Sequence, residues 1–489
     1  MRLHRNALLT FAAVTAALLA AAGAADAQKM FSRGGSANVG VVRGGDGGYH
    51  GGYHGGGRSY IGGYFGAPLV GIAPGVVQTF EGGDVVDDGN GPPRRTRQTR
   101  RNSSAPAANE RRMVPDEVIL EIANSVSSQQ IEALQRRYRL IRIESQTFQL
   151  SGTTLYRWRI PDRRSVPSVV RALEADHIVA QPNYLFALQG DELKAEGDAA
   201  QYELAKLHLP QAHTLAKGDN VLVAVIDSGI DAAHPELAGT VAQSYDTLSS
   251  PMTPHKHGTA IAGLIAAHGK LMGAAPHARI LAIRAFDGSG ASAEGTTFNI
   301  LKGLDWAAAN GARVINMSFA GPPDPALHRS IVAAHKKGIV LVAAAGNAGP
   351  KSQPLYPAAE PDVIAVTATN AEDRLFPQSN RGRYIAVAAP GEQILVAIPD
   401  GSYEVSSGTS YSAAEISGIV ALMLERRQDL SPDRVRDLLM ATAKDLGPKG
   451  RDVMFGAGLA DAYAALKAEG APVTAAAPRP VERVSTGAR

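Results

Sequence analysis

Five near-continuous apolar runs punctuate the second half of the chain: "VLVAVI" (221–226), "RILAIRAF" (279–286), "RVINMSF" (313–319), "IVLVAAAG" (339–346) and "VIAVTAT" (363–369). None of them alternates apolar with polar. Runs of this kind are expected of strands buried on both faces, as in a parallel sheet. Between them lie segments with helical spacing, "TTFNILKGLDWAAANG" and "PALHRSIVAAHKKG". A further helix, "SPDRVRDLLMATA", opens with Ser431 as its cap and Pro432 in its first turn. The alternation predicts an α/β fold over about 200–468, a mostly parallel sheet with helices on both faces.

A different rhythm occupies 113–190. "DEVILEI" reads as a strand, and Ser127 with Gln130 makes a capping-box signal ahead of Ile131, Leu134 and Tyr138 at helical spacing. "LIRIES" reads as a second strand. "LYRWRI" alternates, with Tyr156, Trp158 and Ile160 on one face and Arg157 and Arg159 on the other. "SVPSVVRALEA" is a second helix, and "IVAQPNYLFAL" a closing strand. The order strand-helix-strand-strand-helix-strand predicts a small ferredoxin-like α+β domain.

The flanks carry no such rhythm. Arg2, His4 and Arg5 precede an alanine-rich apolar run and "ADA" at 25–27, which predicts a secretory signal peptide over 1–27. The mature protein is then expected outside the cytoplasm, in the periplasm or outside the cell. No later stretch is long and apolar enough to span a bilayer. Residues 28–112 are Gly-rich and then basic, ending in "PPRRTRQTRR", and predict a disordered arm and linker; its "GGYH" repeats place His50 and His54 in that arm. Residues 469–489 predict a loose tail.

Composition narrows the chemistry. The chain has 489 residues, 45% hydrophobic and 19% charged, with a net charge of only +3. That balance gives no reason to expect nucleic acid. Cysteine is absent, which excludes thiol catalysis, disulfides and thiolate metal sites.

Polar residues cluster where these strands end and helices begin. Asp227 ends the first strand, in "DSGID"; it is a site residue or a turn-former. His257 opens the small-residue helix "HGTAIAGLIAA", with His255 two residues before it. A His-x-His metal pair is the rival reading, but no acidic ligand helix accompanies it. Asn347 follows the fourth strand, as an oxyanion donor or a turn residue. Ser410, in "GTSYSAA", stands on the first turn of an apolar helix, where it is a cap or a nucleophile favoured by the helix dipole.

In order along the chain, "VAVIDSGID", "HGTAIAG", "VINMSFAG", "VAAAGN" and "GTSYSAA" resemble the signature motifs of the subtilisin-like serine proteases, over about 203–468. The resemblance implies a serine endopeptidase acting on protein or peptide substrates, and the order Asp, His, Ser along the chain is the subtilisin order. It implies that Asp227 orients His257, that His257 takes the proton of Ser410, and that Asn347 with the Ser410 N–H forms the oxyanion hole. It implies substrate-flanking segments at Gly288, Ser289 and Gly290 and at Ser318, Phe319 and Ala320. A primary pocket walled by Ser318–Ala320 and by Ala344, Ala345 and Gly346 would have Leu355 near its base. Residues 113–190 resemble the inhibitor-type propeptide of many subtilases, a partner in cis, and a monomer is expected.

The sequence departs from the family pattern in places. After the serine, Ala414 and Glu415 stand where a Pro-His pair is usual, and Tyr411 and Ser412 where Met-Ala is frequent. The chemistry requires no cofactor; structural calcium is common in the family, and no acidic loop here singles out its ligands. An esterase is disfavoured because Ser410 lacks the G-x-S-x-G elbow. A catalytically silent relative that binds through its Gly-rich arm is the remaining alternative.

Overall fold

The computed structural model describes residues 106, 110–123, 126–189, 201–251, 253–288 and 293–468. The predicted signal peptide, nearly all of the predicted arm, His50 and His54, and the predicted tail lie outside the described residues.

The N-terminal part of the described chain contains β1 (Met113–Ile122), α1 (Ser128–Tyr138), β2 (Ile141–Phe148), β3 (Thr153–Arg159), α2 (Val166–Ala175) and β4 (Ala180–Leu188). The capping box opens α1 as the sequence suggests: Gln130 N–H donates to Ser127 Oγ, and Ser127 N–H donates to Gln130 Oε1. Strands run in the order β2-β3-β1-β4, with β1 antiparallel to both β3 and β4. That is the split βαβ arrangement.

After it come α3 (Tyr202–Lys206), α4 (Leu209–Ala212), β5 (Leu222–Asp227), β6 (Val241–Asp246), α5 (Lys256–Ala266), β7 (Arg279–Arg284), β8 (Phe286–Asp287), β9 (Glu294–Thr296) and α6 (Thr297–Ala309). Next are β10 (Val314–Met317), β11 (Phe319–Ala320), α7 (Pro325–Lys336), β12 (Val340–Ala344), β13 (Ile364–Thr369) and β14 (Ile385–Pro390). The series closes with β15 (Ile394–Ile398), β16 (Ser402–Ser406), α8 (Thr409–Arg426), α9 (Pro432–Thr442) and α10 (Ala462–Ala468). Seven strands form a parallel sheet in the order β14-β13-β12-β10-β5-β7-β6. The lack of alternation in the apolar runs has its reason here. In β5, Val223 and Val225 enter one core with α5 and α8, while Ala224 and Ile226 enter the other with α6 and α7. Each fully buried valine or isoleucine contributes about 1.5–3 kcal/mol. Chain order reverses at β5, which lies between β7 and β10, so the crevice beyond Asp227 is the switch point where ligands bind in such sheets.

A second sheet is antiparallel and runs on from the small domain: β2-β3-β1-β4-β9-β8, with β11 also paired to β4. The small domain's sheet lies against α6 and α7, and this changes the meaning of the polar positions in β3. Arg157 is not a solvent face: its guanidinium lies 5.7 Å over the Phe298 ring of α6, beside Glu144 and Glu117. Glu144 pairs with Lys302, and Glu121 with Arg329. From β4, Gln181 Oε1 accepts from Ala326 N–H at 3.0 Å and Asn183 Oδ1 from Phe298 N–H at 3.3 Å. Both amides sit in the first turns of α7 and α6, so β4 satisfies donors that a helix start leaves open.

Candidate active site

Four segments bring the site together at the carboxyl edge of the parallel sheet. Asp227 is the last residue of β5 and wholly buried. Its Oδ1 accepts from the N–H of Ser228 at 2.8 Å and from the Ser228 hydroxyl at 3.0 Å. His257 stands in the first turn of α5, and its Nδ1–H donates to the Asp227 carboxylate, 2.9 Å from either oxygen. With Nδ1 so engaged, Nε2 is the basic nitrogen. It is buried and has no hydrogen-bond partner.

His255 has a different task. It is the N-cap of α5, its Nδ1 facing the His257 N–H at 3.3 Å and the Ser228 hydroxyl at 2.8 Å. Burial holds its pKa below the ordinary imidazole range. Among the described residues no group of three or more His, Cys, Asp or Glu side chains is arranged to hold a metal ion.

Ser410 lies in the first turn of α8, a helix buried from Thr409 to Leu424. Its hydroxyl donates to the Ser318 carbonyl at 3.1 Å. Asn347 follows β12, and its side chain is locked by Thr409. The Thr409 N–H and hydroxyl donate to Asn347 Oδ1 at 3.1 and 2.9 Å, so the amide's N–H₂ must face the other way. Gly346 makes this turn feasible: its φ is +108°, and a Cβ there would lie 2.7 Å from Asn380 Nδ2. Asn347 Nδ2 and the Ser410 N–H converge on one oxygen, the main-chain carbonyl of Gln189, at 2.9 and 3.3 Å.

A cleft of about 570 Å³ runs beside Gln189, with Ala320, Asn347, Ala348 and Leu355 in its lining. Ala344 and Ala345 are wholly buried behind it, and Phe319 turns its ring inward against Phe286 and Phe186. Ser318 contributes its carbonyl, which accepts from the Gln189 N–H at 3.1 Å. The strand paired with β4 on this side is β9, Glu294–Thr296. Of the "DGSG" segment, Gly288 lies beside the His255 ring, and Ser289 and Gly290 lie outside the described residues.

Known proteins resemble this chain in sequence and fold. A model of the Subtilase family (Peptidase S8) matches residues 218–458. Thermitase from Thermoactinomyces vulgaris is 35% identical over 275 residues, 55% of this chain and 96% of that protein. Subtilisin E from Bacillus subtilis is 33% identical over 327 residues, 64% and 80% of the two. The chain belongs to the subtilase family. The crystal structure of fervidolysin from Fervidobacterium pennivorans, a keratinolytic enzyme related to subtilisin, superposes with a TM-score of 0.63 at 25% identity, covering 73% of this chain and 61% of that one. The subtilase is therefore a serine endopeptidase with the subtilisin-like α/β fold. No helix among its described residues is long and apolar enough to cross a membrane.

The departures after Ser410 take physical form in this subtilase. Ser412 donates to the Ala389 and Pro390 carbonyls, and Tyr411 donates its hydroxyl to Ser406 Oγ at 2.8 Å. Glu415 is wholly buried, and its carboxylate oxygens have no hydrogen-bond partner. Burial, with the neighbouring charge of Glu203 on α3, raises its pKa well above the carboxylate range; burial pushes Glu203 itself up to about 7. Both groups then bind protons more tightly folded than unfolded. Native stability must fall as pH rises from the ordinary carboxylate value through the raised folded values. Taken alone, Glu203 accounts for about 3 kcal/mol across that window. Glu415→Gln, which needs no proton to be neutral, should raise the melting temperature at pH 8 and change it little at pH 5. Thermal unfolding at the two pH values checks this; an equal shift at both would mean the carboxyl does not titrate in the fold.

Proposed function

We propose that this subtilase is exported as a zymogen, that Asp227, His257 and Ser410 are its catalytic triad, and that the domain formed by β1 to β4 is its inhibitory propeptide. The convergence of Asn347 Nδ2 and the Ser410 N–H on one carbonyl oxygen carries the reading. Such a pair of fixed donors stabilises the charge that develops on a tetrahedral intermediate. Ser410 turns its hydroxyl from Ser318 to His257 Nε2 and attacks the substrate carbonyl. His257 takes the proton as base, stabilised as imidazolium by Asp227, and returns it to the leaving amine. Water then releases the acyl group from Ser410. No metal enters this chemistry. Residues 1–27 direct export, and the processed enzyme acts as a soluble monomer.

The propeptide reading is supported by β4, which enters the cleft as an extended strand between β9 and β11. A substrate peptide would dock in the same way, by main-chain pairing with side-chain pockets for choice. Residues 110–189 supplied in trans should inhibit the processed enzyme competitively at micromolar concentration. An inert fragment would assign this domain to folding alone. Labelling of Ser410 by a serine-directed fluorophosphonate tests the nucleophile; absence of label on the processed chain would favour a silent, binding relative.

Asn347→Ala should lower kcat by roughly a hundred- to a thousand-fold with KM little changed, because the amide meets an oxyanion that exists only in the transition state. Steady-state kinetics on a peptide substrate decide it. Near-normal turnover would reduce Asn347 to a turn residue.

A further inference from the structure

The oxygen held by the two oxyanion donors is the carbonyl of Gln189, so this residue stands where a foreign substrate's last residue before the cut would stand. We propose that the enzyme selects glutamine at that position in its substrates, reading the side-chain amide through the backbone N–H of Asn347. The proposal rests on Ser410 being the nucleophile and names the residue its substrates carry.

The register of β4 makes Gln189 a guide to foreign peptides. Leu185, Phe186 and Ala187 pair with Thr296, Gly295 and Glu294 on one side. Ala187 and Leu188 pair with Ala320 and Phe319 on the other. The pairing runs on into Gln189, whose N–H donates to the Ser318 carbonyl at 3.1 Å. Its own carbonyl accepts from Asn347 Nδ2 at 2.9 Å and from the Ser410 N–H at 3.3 Å. Phe186 pins this register, because it is 1% exposed and a one-residue slip would turn it out to the other face. A substrate strand that fills the same main-chain bonds places its side chain as Gln189 places its own.

That side chain is held by hydrogen bonds. Its Oε1 accepts from the Asn347 N–H at 2.9 Å, and its Nε2 donates to the carbonyls of Ala187 and Leu188 at 3.0 and 3.1 Å. The Asn347 N–H is a fixed donor, since it follows the turn at Gly346 and Thr409 locks the Asn347 side chain. The apolar depth beside it is occupied. A Cβ on Gly346 would lie 2.9 Å from Leu355 Cδ1 and 2.7 Å from Asn380 Nδ2, and Leu355 is itself buried. A large apolar side chain finds that depth filled, so it gains little burial to set against the bonds it fails to make.

The bonds define the side chain that fits. One acceptor must meet the Asn347 N–H, and an N–H₂ on the same group must turn back to two carbonyls of its own strand. Glutamine carries both at this length, and asparagine is one carbon short. Methionine has the length but no N–H₂ and only a weak acceptor, and lysine only donates. Glutamate accepts, but sets a charge against the two carbonyl oxygens. The residues that line the cleft from beyond the β1–β4 domain are Glu294, Ala320, Asn347, Ala348 and Leu355, with no basic group to offset that charge.

The test uses the exported enzyme, its active sites counted by a serine-directed fluorophosphonate. It is given peptides Phe-Ala-Leu-Xaa joined to a chromogenic amine, with glutamine, glutamate, methionine, methionine sulfoxide, lysine or phenylalanine as Xaa. The glutamine peptide should have the highest kcat/KM, about tenfold above methionine, the size expected of hydrogen bonds at a partly exposed site. Methionine sulfoxide, which restores an oxygen acceptor without the N–H₂, should fall between them. Sulfoxide no faster than methionine would overturn reading by the Asn347 N–H. Labelled enzyme that favours phenylalanine, lysine or glutamate, treats all six alike, or cuts none of them would overturn the selectivity and leave the nucleophile standing. Enzyme that neither labels nor cuts would remove the nucleophile assignment and this proposal together.

Discussion

Ser410→Ala will leave the full chain uncut and peptides untouched, with turnover reduced by about a millionfold where any remains. The size follows from what the change removes. The oxyanion donors survive, since one is a backbone N–H and the other is Asn347 held by Thr409. The base survives as well. On the proposed triad, only the atom that would form the covalent bond is lost, and its partners cannot act without it. The helix should not suffer, because the Ser410 hydroxyl is bonded to the Ser318 carbonyl and not to an N–H of its own first turn. An unchanged melting temperature with activity gone is the expected pair of measurements. Residual maturation of the purified variant would assign the chemistry to another residue.

Asp227→Asn should lower kcat by about ten-thousand-fold while the fold persists. The carboxylate's surroundings decide the orientation of the new amide. Ser228 gives both its N–H and its hydroxyl to Oδ1, so that position must remain an acceptor. The amide N–H₂ is then forced into the Oδ2 position, against His257 Nδ1. Faced by a donor, the imidazole moves its proton to Nε2, and the nitrogen that should take the Ser410 proton is blocked. Kinetics over a pH series, alongside the melting temperature, check the outcome. A loss of tenfold or less would mean Asp227 only fills space beneath the ring.

The legible parts of this molecule were those written in local chemistry. Runs such as "VLVAVI" declare two-sided burial because alternate residues enter two cores. The Ser127–Gln130 box and Ser431 declare helix starts through bonds spanning three residues. β6, β14 and the β15–β16 hairpin carry weaker patterns that do not single them out in the sequence. The alternation of "LYRWRI" puts Arg157 and Arg159 on the face opposite Trp158, but a sequence does not reveal that Phe298 and Glu144 lie against the first of them. Thr409 was invisible as the lock on Asn347, 62 residues away, although its place between Gly408 and Ser410 was in plain view. β9 spans only three residues and carries no periodicity, so its pairing with β4 is not legible in the sequence. Gln189 gave no signal at all; its meaning is entirely in the register of β4.

Five consecutive residues, Leu185 to Gln189, lie extended between β9 and β11, with main-chain bonds on both sides. Any foreign protein cut at this site must offer an equally long stretch in the same shape. Native proteins hold few such stretches free, and must open locally to expose one, at a cost that ranges from almost nothing at a frayed end to the whole folding free energy in a core. When opening is fast, the rate of cutting follows the fraction of target molecules that are open. The sequence around the cut then ranks second. Loosely held loops and partly unfolded chains would be destroyed first, and the enzyme would act as a gauge of its victims' local stability.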